Sequence, residues 1–229
     1  MKNETNDKDI VALEIMSEAE NYTSYIYSLL LKNIYKENVL DFGSGYGDFC
    51  NFLNDKNFNV SGFEPNELAF KKSLNYGFEV FNNYEKIIKK YNTITSINVL
   101  EHIEDDNAAL QQIKSLMNND SKLILYLPAS MKIWSQMDVD ANHFRRYTKK
   151  DISEKLVNSG FIVESIEFVD FVGWLVLIIF KFFKIKPQFN KKLIIFYDKY
   201  IFRYLKILDY FFKKLLGKNI LIVASLRSP

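Results

Sequence analysis

Residues 39–49 read VLDFGSGYGDF, an apolar run that leads directly into three glycines at alternate positions. The apolar run predicts a buried strand over residues 38–42, and a helix follows from Asp48 to about residue 56. Glycine lets the backbone turn tightly and approach a ligand without a Cβ clash. We therefore expect a glycine loop, containing Gly43, Gly45 and Gly47, at the carboxyl end of a buried strand.

The spacing of these glycines argues against a dinucleotide site. The dinucleotide pattern G-x-G-x-x-G places its last glycine against the helix. Here the third glycine comes one position early, and Asp48 stands where the last glycine would be. The acidic residue Asp41 precedes the loop, and its carboxylate can accept hydrogen bonds from loop amides or lie near a cationic amine. The loop therefore suits a ligand without a pyrophosphate.

A second carboxylate follows the next predicted strand, residues 58–63, in the sequence GFEP (62–65). The carboxyl ends of parallel strands meet at one edge of a sheet, so Glu64 is expected beside the glycine loop. A carboxylate there can accept hydrogen bonds from both hydroxyls of a ribose. The alternative is that Glu64 only caps the helix that starts at Asn66. The glycine loop and Glu64 together favour a cofactor site.

The order of the remaining elements predicts an α/β fold. Strands near 78–81, 93–99 and 122–127 alternate with helices at 66–75, 84–90 and 105–117, which is typical of a mostly parallel sheet with helices on both faces. A helix over 148–159, capped by Thr148 and ended by Gly160, leads to strands at 161–168 and 219–226 that would pair antiparallel at the sheet edge. We interpret residues 1–229 as a single domain, with residues 10–35 as a helical cover and residues 171–218 as a helical cap inserted between the last two strands, here named the cap segment.

Composition excludes several kinds of site. The chain has one cysteine, Cys50, so it can form neither an internal disulfide nor a cysteine metal cluster. The presence of only two histidines argues against a multi-histidine zinc site, and we predict no metal. The polar first ten residues do not resemble a signal peptide, and we expect a cytoplasmic protein.

The motifs VLDFGSGYGDF, GFEP and INVLEHIEDD (97–106) resemble the successive motifs of class I S-adenosylmethionine-dependent methyltransferases. The resemblance implies a Rossmann-like sheet of seven strands, with S-adenosylmethionine as cofactor and S-adenosylhomocysteine as product. It places the methionine part of the cofactor near Asp41, Gly43, Ser44, Gly45, Gly47, Asn98, Leu100 and His102. It places the ribose at Glu64 and Pro65, and the adenine near Asn82, where the family often has an acidic residue.

A narrower resemblance covers Asn21–Tyr22 and HFRRYTKKDISEKLVNSGF (143–161). These stretches are similar to bacterial methyltransferases that are often encoded near enzymes of surface-glycan biosynthesis. The resemblance implies that Tyr22 contacts the cofactor. This resemblance indicates a subfamily but does not identify its substrate.

Residues 138–147 (DVDANHFRRY) follow the fifth predicted strand and are expected to cover the cofactor pocket. We predict His143 as the catalytic base, with Asp138 or Asp140 as its orienting partner. Arg145 and Arg146, with the adjacent Tyr147, are predicted to bind an anionic group of the acceptor. The alternative is a salt-bridged segment that only closes the site. His102 has a similar alternative, in which it orients its own loop.

The cap segment is both apolar and basic. Residues 171–180 are uncharged but too few to span a bilayer, which needs about 20 residues. Residues 181–218 carry eleven Lys or Arg and two Asp, a net charge of +9, and residues 190–216 are predicted to form one long amphipathic helix. Such a helix suits peripheral binding to an anionic membrane surface, here the inner face of the cell membrane. Packing on the domain, or a homodimer interface, remains open.

We therefore predict a methyltransferase acting on an oxygen, or next a nitrogen, of a small or lipid-linked acceptor such as a glycan sugar. One alternative is an RNA methyltransferase that binds phosphates through the basic residues of 181–218. The apolar content of that segment argues against binding to nucleic acid. Another is a non-catalytic protein that binds the cofactor or a membrane.

Overall fold

Seven strands form one sheet in the part of the chain that the computed structural model describes, residues 18–185, 187 and 190–226. The strands are β1 (Val39–Phe42), β2 (Val60–Phe63), β3 (Glu79–Phe81), β4 (Tyr91–Ile97), β5 (Met117–Pro128), β6 (Phe161–Val169) and β7 (Asn219–Leu226). Their order is β3-β2-β1-β4-β5-β7-β6. The first five strands are parallel, and β7 runs antiparallel to both β5 and β6. The mostly parallel seven-stranded sheet and its antiparallel edge pair confirm the predicted fold class.

The helices lie between these strands in the predicted alternation. They are α1 (Glu20–Leu31), α2 (Asp48–Asn54), α3 (Glu67–Ser73), α4 (Asp106–Ser115), α5 (Gln136–Asp140), α6 (Lys149–Asn158) and α7 (Phe171–Phe182). The cap segment continues with α8 (Lys191–Phe196), a π-helical turn (Tyr197–Phe202), α9 (Arg203–Leu205) and α10 (Leu208–Phe212). Short 3-10 turns occur at Leu74–Tyr76, Tyr84–Lys86, Leu100–His102 and Met131–Ile133. None of the helices in the described ranges is long and apolar enough to cross a membrane.

Local sequence signals set the helix ends. The Asn66 side chain accepts hydrogen bonds from Leu68 N and Ala69 N at the start of α3. Thr148 and Asp151 form a reciprocal capping box at the start of α6, and Gly160 follows that helix with φ of +90°. Because left-handed φ favours glycine, the chain can leave α6 at this point without strain.

A hydrophobic layer covers each face of the sheet. On one face, α4 and α6 contribute Leu110, Ile113, Ile152 and Leu156, which are buried with Leu123 and Leu125 of β5. On the other face, α1 and α2 contribute Ile26, Leu30, Phe49 and Leu53, which are buried with Val39, Val60 and Ile124 of the sheet. Each such side chain contributes about 1.5–3 kcal/mol by burial. The two layers fix the carboxyl ends of β1, β2 and β4 at one edge of the sheet.

Three predicted elements differ in extent. The helix predicted over 84–90 is only the 3-10 turn Tyr84–Lys86, since Ile87 is extended and buried in the core. The strand predicted over 122–127 runs from Met117 to Pro128 because it pairs with β4 on one side and β7 on the other. The helix predicted over 10–35 begins at Glu20 and ends at Leu31, and residues 10–17 lie outside the described residues.

The long helix predicted over 190–216 is interrupted by the π-helical turn and ends at Phe212. This turn contains Asp198 and Phe202, both buried against the domain. Both residues face inward, as residues four apart on a helix do, and the π-helical turn interrupts the regular helix at this contact.

Two buried aspartates attach the cap segment to the domain. Asp198 accepts hydrogen bonds from Tyr22 N at 2.8 Å, Asn21 N at 3.0 Å and Asn21 Nδ2 at 2.8 Å. Asp209 accepts hydrogen bonds from Asp170 N at 2.8 Å and Phe171 N at 2.7 Å. The first backbone N–H groups of a helix have no partner within the helix, and a carboxylate there also favours the helix dipole. Asp198 of the cap segment therefore provides an acceptor at the start of α1. Asp209 provides one at the start of α7, in addition to the N-cap Asp170, whose side chain accepts from Gly173 N.

We expect Asp209→Ala to destabilise the protein by about 1–3 kcal/mol, because it leaves buried backbone N–H groups without their acceptor. Urea denaturation followed by circular dichroism measures this change in the free energy of unfolding. The matched control is Asp55→Ala, which removes an exposed carboxylate. Equal midpoints for the two variants would contradict the role of Asp209.

Candidate functional site

The glycine loop has the backbone that the sequence predicted. Gly43, Gly45 and Gly47 have φ of +85°, +54° and +86°, a region that favours glycine. Gly43 N and Ser44 N donate to the Phe63 carbonyl of β2 at 2.8 and 2.9 Å. A Cβ at Gly43 would overlap the Val99 side chain, which belongs to the segment after β4. The loop is therefore fixed to β2 and lies against the segment that follows β4.

Asp41 lies buried at the end of β1, beneath this loop. Thr95 Oγ1 of the neighbouring strand β4 donates to its carboxylate at 2.7 Å. Burial raises the pKa of Asp41 to about 7, although the Thr95 hydrogen bond acts in the opposite direction. A nearby cationic amine would favour the ionised form of this carboxyl group.

Glu64 connects the glycine loop to the start of α3. Its buried carboxylate accepts hydrogen bonds from Gly45 N at 2.8 Å and from Asn66 N at 2.8 Å. The contact with Asn66 agrees with the alternative of a helix-capping role. The contact with Gly45 places the carboxylate beside the glycine loop, where a nucleoside ligand needs an acceptor. The capping contact is thus present at the carboxyl end of β2, and the ribose role of Glu64 stays a prediction.

The segment after β4 lies next to the glycine loop, since β4 and β1 are neighbours in the sheet. Asn98 adopts φ of +51°, and its backbone N donates to the Tyr126 carbonyl at 2.8 Å. Its side chain is exposed, and Asn219 Nδ2 donates to its amide oxygen at 3.4 Å. Leu100 is fully buried and starts the 3-10 turn that ends at His102.

His143 and Asp138 are brought together at the start of the segment 138–147. The His143 Nδ1 donates to Asp138 Oδ1 at 2.9 Å. Arg146 Nε donates to the same oxygen at 2.6 Å, and Ser135 N donates to Oδ2 at 2.8 Å. Burial by itself raises the pKa of Asp138, but these hydrogen bonds and the Arg146 charge hold it below its usual value. Asp138 is thus an ionised partner that orients the His143 ring.

The alternative partner, Asp140, accepts a hydrogen bond from Gln136 Nε2 at 3.0 Å instead. Of the two aspartates that the sequence offered, the structure therefore places Asp138 against His143.

The residues predicted to bind substrate have internal contacts. Arg145 donates to the Glu104 carbonyl at 2.6 Å and lies 2.9 Å from Asp106 Oδ2. Arg146 is buried and also donates to the Ala129 carbonyl at 3.2 Å. The Tyr147 hydroxyl donates to Asp106 at 2.9 Å. These contacts agree with the alternative of a salt-bridged segment, and a role in substrate binding stays a prediction.

The remaining predicted cofactor residues are more scattered. The Tyr22 hydroxyl lies 2.9 Å from the Tyr126 hydroxyl, and its ring packs edge-on against Phe202 of the cap segment. Asn82 directly follows β3, and its Nδ2 lies 3.5 Å from Glu67 Oε2. Pro65 is exposed next to Glu64. No contact in the structure tests their predicted roles.

Glu101 is the polar residue of this region that the sequence analysis did not select. Its side chain is fully buried, and burial raises its pKa to about 8. His102 follows it, and burial together with the adjacent His143 lowers the pKa of His102 to about 4. The sequence signal that could have identified Glu101 was its position next to a histidine, directly after a buried strand. The segment 138–147 lies against this turn, since Phe144 N donates to the Glu101 carbonyl at 2.8 Å.

A separate groove of about 420 Å³ lies between the 130s segment and α7. Its lining combines apolar side chains with basic ones, among them Trp134, Val139, Phe180, Lys181 and Lys184. The groove includes no residue of the glycine loop. It adjoins α5, the helix that carries Asp138, and is therefore separate from the cofactor motifs but close to the His143 region.

Residues 17–166 match the family model of a methyltransferase domain. A search of curated protein sequences found no significant match. Among solved structures, the fold is similar to magnesium protoporphyrin IX methyltransferase from Synechocystis, crystallised with bound S-adenosylmethionine, at a TM-score of 0.56 and 16% identity, covering 92% of this chain and 80% of that chain. A possible histamine N-methyltransferase from Thermotoga maritima has a TM-score of 0.58 and 13% identity, covering 95% of this chain and 91% of that chain.

A methyltransferase from Archaeoglobus fulgidus has a TM-score of 0.59 and 18% identity, covering 88% of this chain and 93% of that chain. The match to the family model covers more than half of the sequence, and the neighbours share the seven-stranded fold. The chain therefore belongs to the methyltransferase domain family, and it is an S-adenosylmethionine-dependent methyltransferase with a Rossmann-like fold.

Proposed function

We propose that the protein transfers a methyl group to an oxygen of a small or lipid-linked acceptor, such as a sugar of a surface glycan. The observation that carries this proposal is the His143–Asp138 pair, which lies beside the segment after β4. S-adenosylmethionine supplies a methyl group that is already activated, so the chain must mainly orient the acceptor. A hydroxyl group also has to lose its proton, and this requirement suits an oriented imidazole.

The cofactor is held by the motifs at the carboxyl edge of the sheet. Glu64 accepts hydrogen bonds from the ribose hydroxyls, and the glycine loop surrounds the methionine part. The positive φ values of the loop and the 2.8 Å contact of Glu64 with Gly45 support this placement. Asp41 lies below the loop, where a cationic amine would favour its ionised form.

His143 activates the acceptor hydroxyl. Asp138 binds Nδ1 of the ring, which leaves Nε2 directed toward Glu101 Oε1 at 4.0 Å. The ring orientation is fixed because Asp138 is itself held by Arg146 and Ser135. A nitrogen acceptor is the second candidate, and a protonated amine needs the same loss of a proton.

The RNA alternative is less well supported. An RNA substrate needs arginines or lysines that are available to phosphates. Arg145 and Arg146 already contact Asp106 and Asp138. The exposed basic residues of the cap segment lie among exposed aromatic side chains, which suits a lipid surface better.

The cap segment binds an anionic membrane surface. Its inner side is attached through Asp198, Asp209 and Phe202, whereas its outer side exposes large apolar residues. These include Ile179, Phe182, Phe183, Phe196, Tyr204, Ile207, Tyr210, Phe211 and Leu215. Exposed basic residues lie among them, including Lys191, Lys192, Lys199, Arg203 and Lys214. Apolar insertion combined with attraction to anionic lipid is the pattern of an interfacial helix.

The first prediction concerns Glu64. Glu64→Ala removes an acceptor for two ribose hydroxyls, and charge-assisted bonds of about 1.5–3 kcal/mol each imply at least about 100-fold weaker binding of S-adenosylmethionine. Calorimetric titration measures the affinity, and Glu85→Ala, at an exposed position, is the control. An unchanged dissociation constant in a folded Glu64→Ala variant would remove the ribose role.

The second prediction concerns the acceptor side. His143→Asn is expected to lower turnover by about 10²–10⁴-fold while the affinity for S-adenosylmethionine is unchanged. Transfer of a tritiated methyl group to a panel of nucleotide sugars and phenolic lipids provides the assay. Asp138→Asn should lower turnover as well, whereas the matched variant Asp140→Asn should not. Equal turnover in the two aspartate variants would show that Asp138 does not orient the reacting group.

The third prediction concerns the membrane. Wild-type protein is expected to float with vesicles that contain anionic lipid and to stay in solution with neutral vesicles. Phe182→Ser and Phe211→Ser, at side chains 80% and 66% exposed, should reduce flotation. Ile88→Ser is the control, since Ile88 is 94% exposed but lies outside the cap segment. Failure of the wild type to float at low salt, together with a dimer in light scattering, would assign this face to self-association.

A further inference from the structure

Three side chains, two in the turn after β4 and one in the segment 138–147, can each direct one ligand atom toward a common point. Glu101, His102 and His143 offer a carboxylate oxygen and two ring nitrogens, and these atoms all lie within 4.8 Å of one another. His143 Nε2 lies 4.0 Å from Glu101 Oε1, and the two imidazole rings meet edge-on with centroids 4.7 Å apart. Ligand atoms of one cation are about 3–3.5 Å apart, given bonds of about 2.0–2.2 Å. Movements of about 1 Å would bring these atoms to that separation.

The burial of Glu101 is a second and independent observation. The side chain is 0% exposed, and within the described part of the chain neither carboxylate oxygen has a hydrogen-bond partner. A buried charge is costly unless it is paired or coordinates a metal. Every other buried carboxylate discussed above accepts hydrogen bonds from named donors. A cation between Glu101 and the two histidines would provide Glu101 with the partner that it needs.

The outer contacts of the two histidines match those of metal ligands. A histidine that binds a metal through one ring nitrogen commonly donates from the other to a carboxylate or a backbone carbonyl. His143 Nδ1 donates to Asp138 at 2.9 Å, which leaves Nε2 on the side of Glu101. His102 has a hydrogen bond with the Ala141 backbone. Both rings are therefore held in place from outside the cluster.

We propose that Glu101, His102 and His143 bind a divalent cation. Two imidazoles and one carboxylate suit zinc, cobalt or manganese ions better than calcium or magnesium ions. Three protein ligands leave positions open for a further ligand, as catalytic sites require. This proposal reverses the sequence-based prediction of no metal, which rested on the small number of histidines.

The cation would take the place of a free His143 nitrogen in activating the acceptor, and this role rests on the proposed oxygen methylation. An acceptor hydroxyl bound to the cation loses its proton to water more readily, because the cation stabilises the negative oxygen. That oxygen attacks the methyl carbon of S-adenosylmethionine, the carbon–sulfur bond breaks, and its electron pair stays on sulfur. No oxidant or reductant is needed. The cluster is well placed, because Val99, two residues before Glu101, contacts Gly43 of the glycine loop.

The composition of the chain permits a direct test. The protein has only two histidines, and both belong to the cluster. Untagged, chelator-treated protein with labelled histidine would therefore give two sets of imidazole signals in nuclear magnetic resonance. We expect both sets to shift on addition of one equivalent of zinc ion, and cobalt ion to give an absorption spectrum of low coordination number. Unchanged imidazole signals at millimolar zinc would overturn the proposal.

Variants separate this site from adventitious binding. Glu101→Gln keeps the shape of the side chain but removes its charge, and should weaken zinc binding by at least about 100-fold. Glu104→Gln, three residues further on and exposed, is the matched control and should bind zinc as the wild type does. Asp138→Asn should weaken it by about 10–100-fold, as for other outer partners of metal ligands. Equal zinc affinity in Glu101→Gln and Glu104→Gln would overturn the site.

Binding of S-adenosylmethionine, titrated in the same samples, distinguishes failure of this inference from failure of the proposed function. Loss of zinc binding in Glu101→Gln with retained cofactor affinity supports the cation site in a folded methyltransferase. Cofactor binding by a wild type that binds no zinc would overturn the cation site and leave the proposed function standing. Absence of both would overturn the two together.

Discussion

A carboxylate that is removed from water has to be paired, and this requirement determines how the parts of the protein are joined. Glu64 accepts hydrogen bonds from the glycine loop and from the start of α3. Asp198 and Asp209 accept hydrogen bonds from the first residues of α1 and α7. Asp138 binds both His143 and Arg146. Glu64, Asp198 and Asp209 join segments that are apart in the sequence, and Asp138 orders residues 135–146 internally. These polar contacts fix the relative positions of elements that the two hydrophobic layers hold together.

The elements that the sequence predicted well depend on local signals. Positive φ at Gly43, Gly45 and Gly47, the Asn66 and Thr148 caps and the apolar strands all follow from residues within a few positions of one another. The π-helical turn does not follow from such local signals. It contains Asp198, which contacts Tyr22 at the start of α1 although the two residues are 176 positions apart in the sequence. The sequence showed the amphipathic pattern of residues 190–216 but not the contact that interrupts it.

The same distinction applies to the candidate site. Asp138, His143 and Arg146 lie within one segment. The sequence could pair His143 with Asp138 or Asp140, but it did not show that Arg146 contacts Asp138 rather than an acceptor. The sequence also could not show whether the Arg145 guanidinium faces an acceptor or Asp106, since Asp106 belongs to another helix. Glu101 was missed for a related reason. Its burial depends on packing around the turn after β4, and a carboxylate next to a histidine has no signature in sequence that marks it as buried.

The charges around His143 explain why Glu101 matters. Arg146 offsets the charge of Asp138, with Nε and Oδ1 2.6 Å apart. Burial raises the pKa of Glu101 to about 8 and so favours its neutral form, and an ionised Glu101 needs another group to offset its charge. The two imidazoles cannot both be protonated at low cost, because their ring centroids are 4.7 Å apart. A divalent cation at the proposed site offsets Glu101 with both imidazoles as neutral ligands. Polarisation of the acceptor oxygen by the cation then replaces removal of its proton by a free His143 nitrogen.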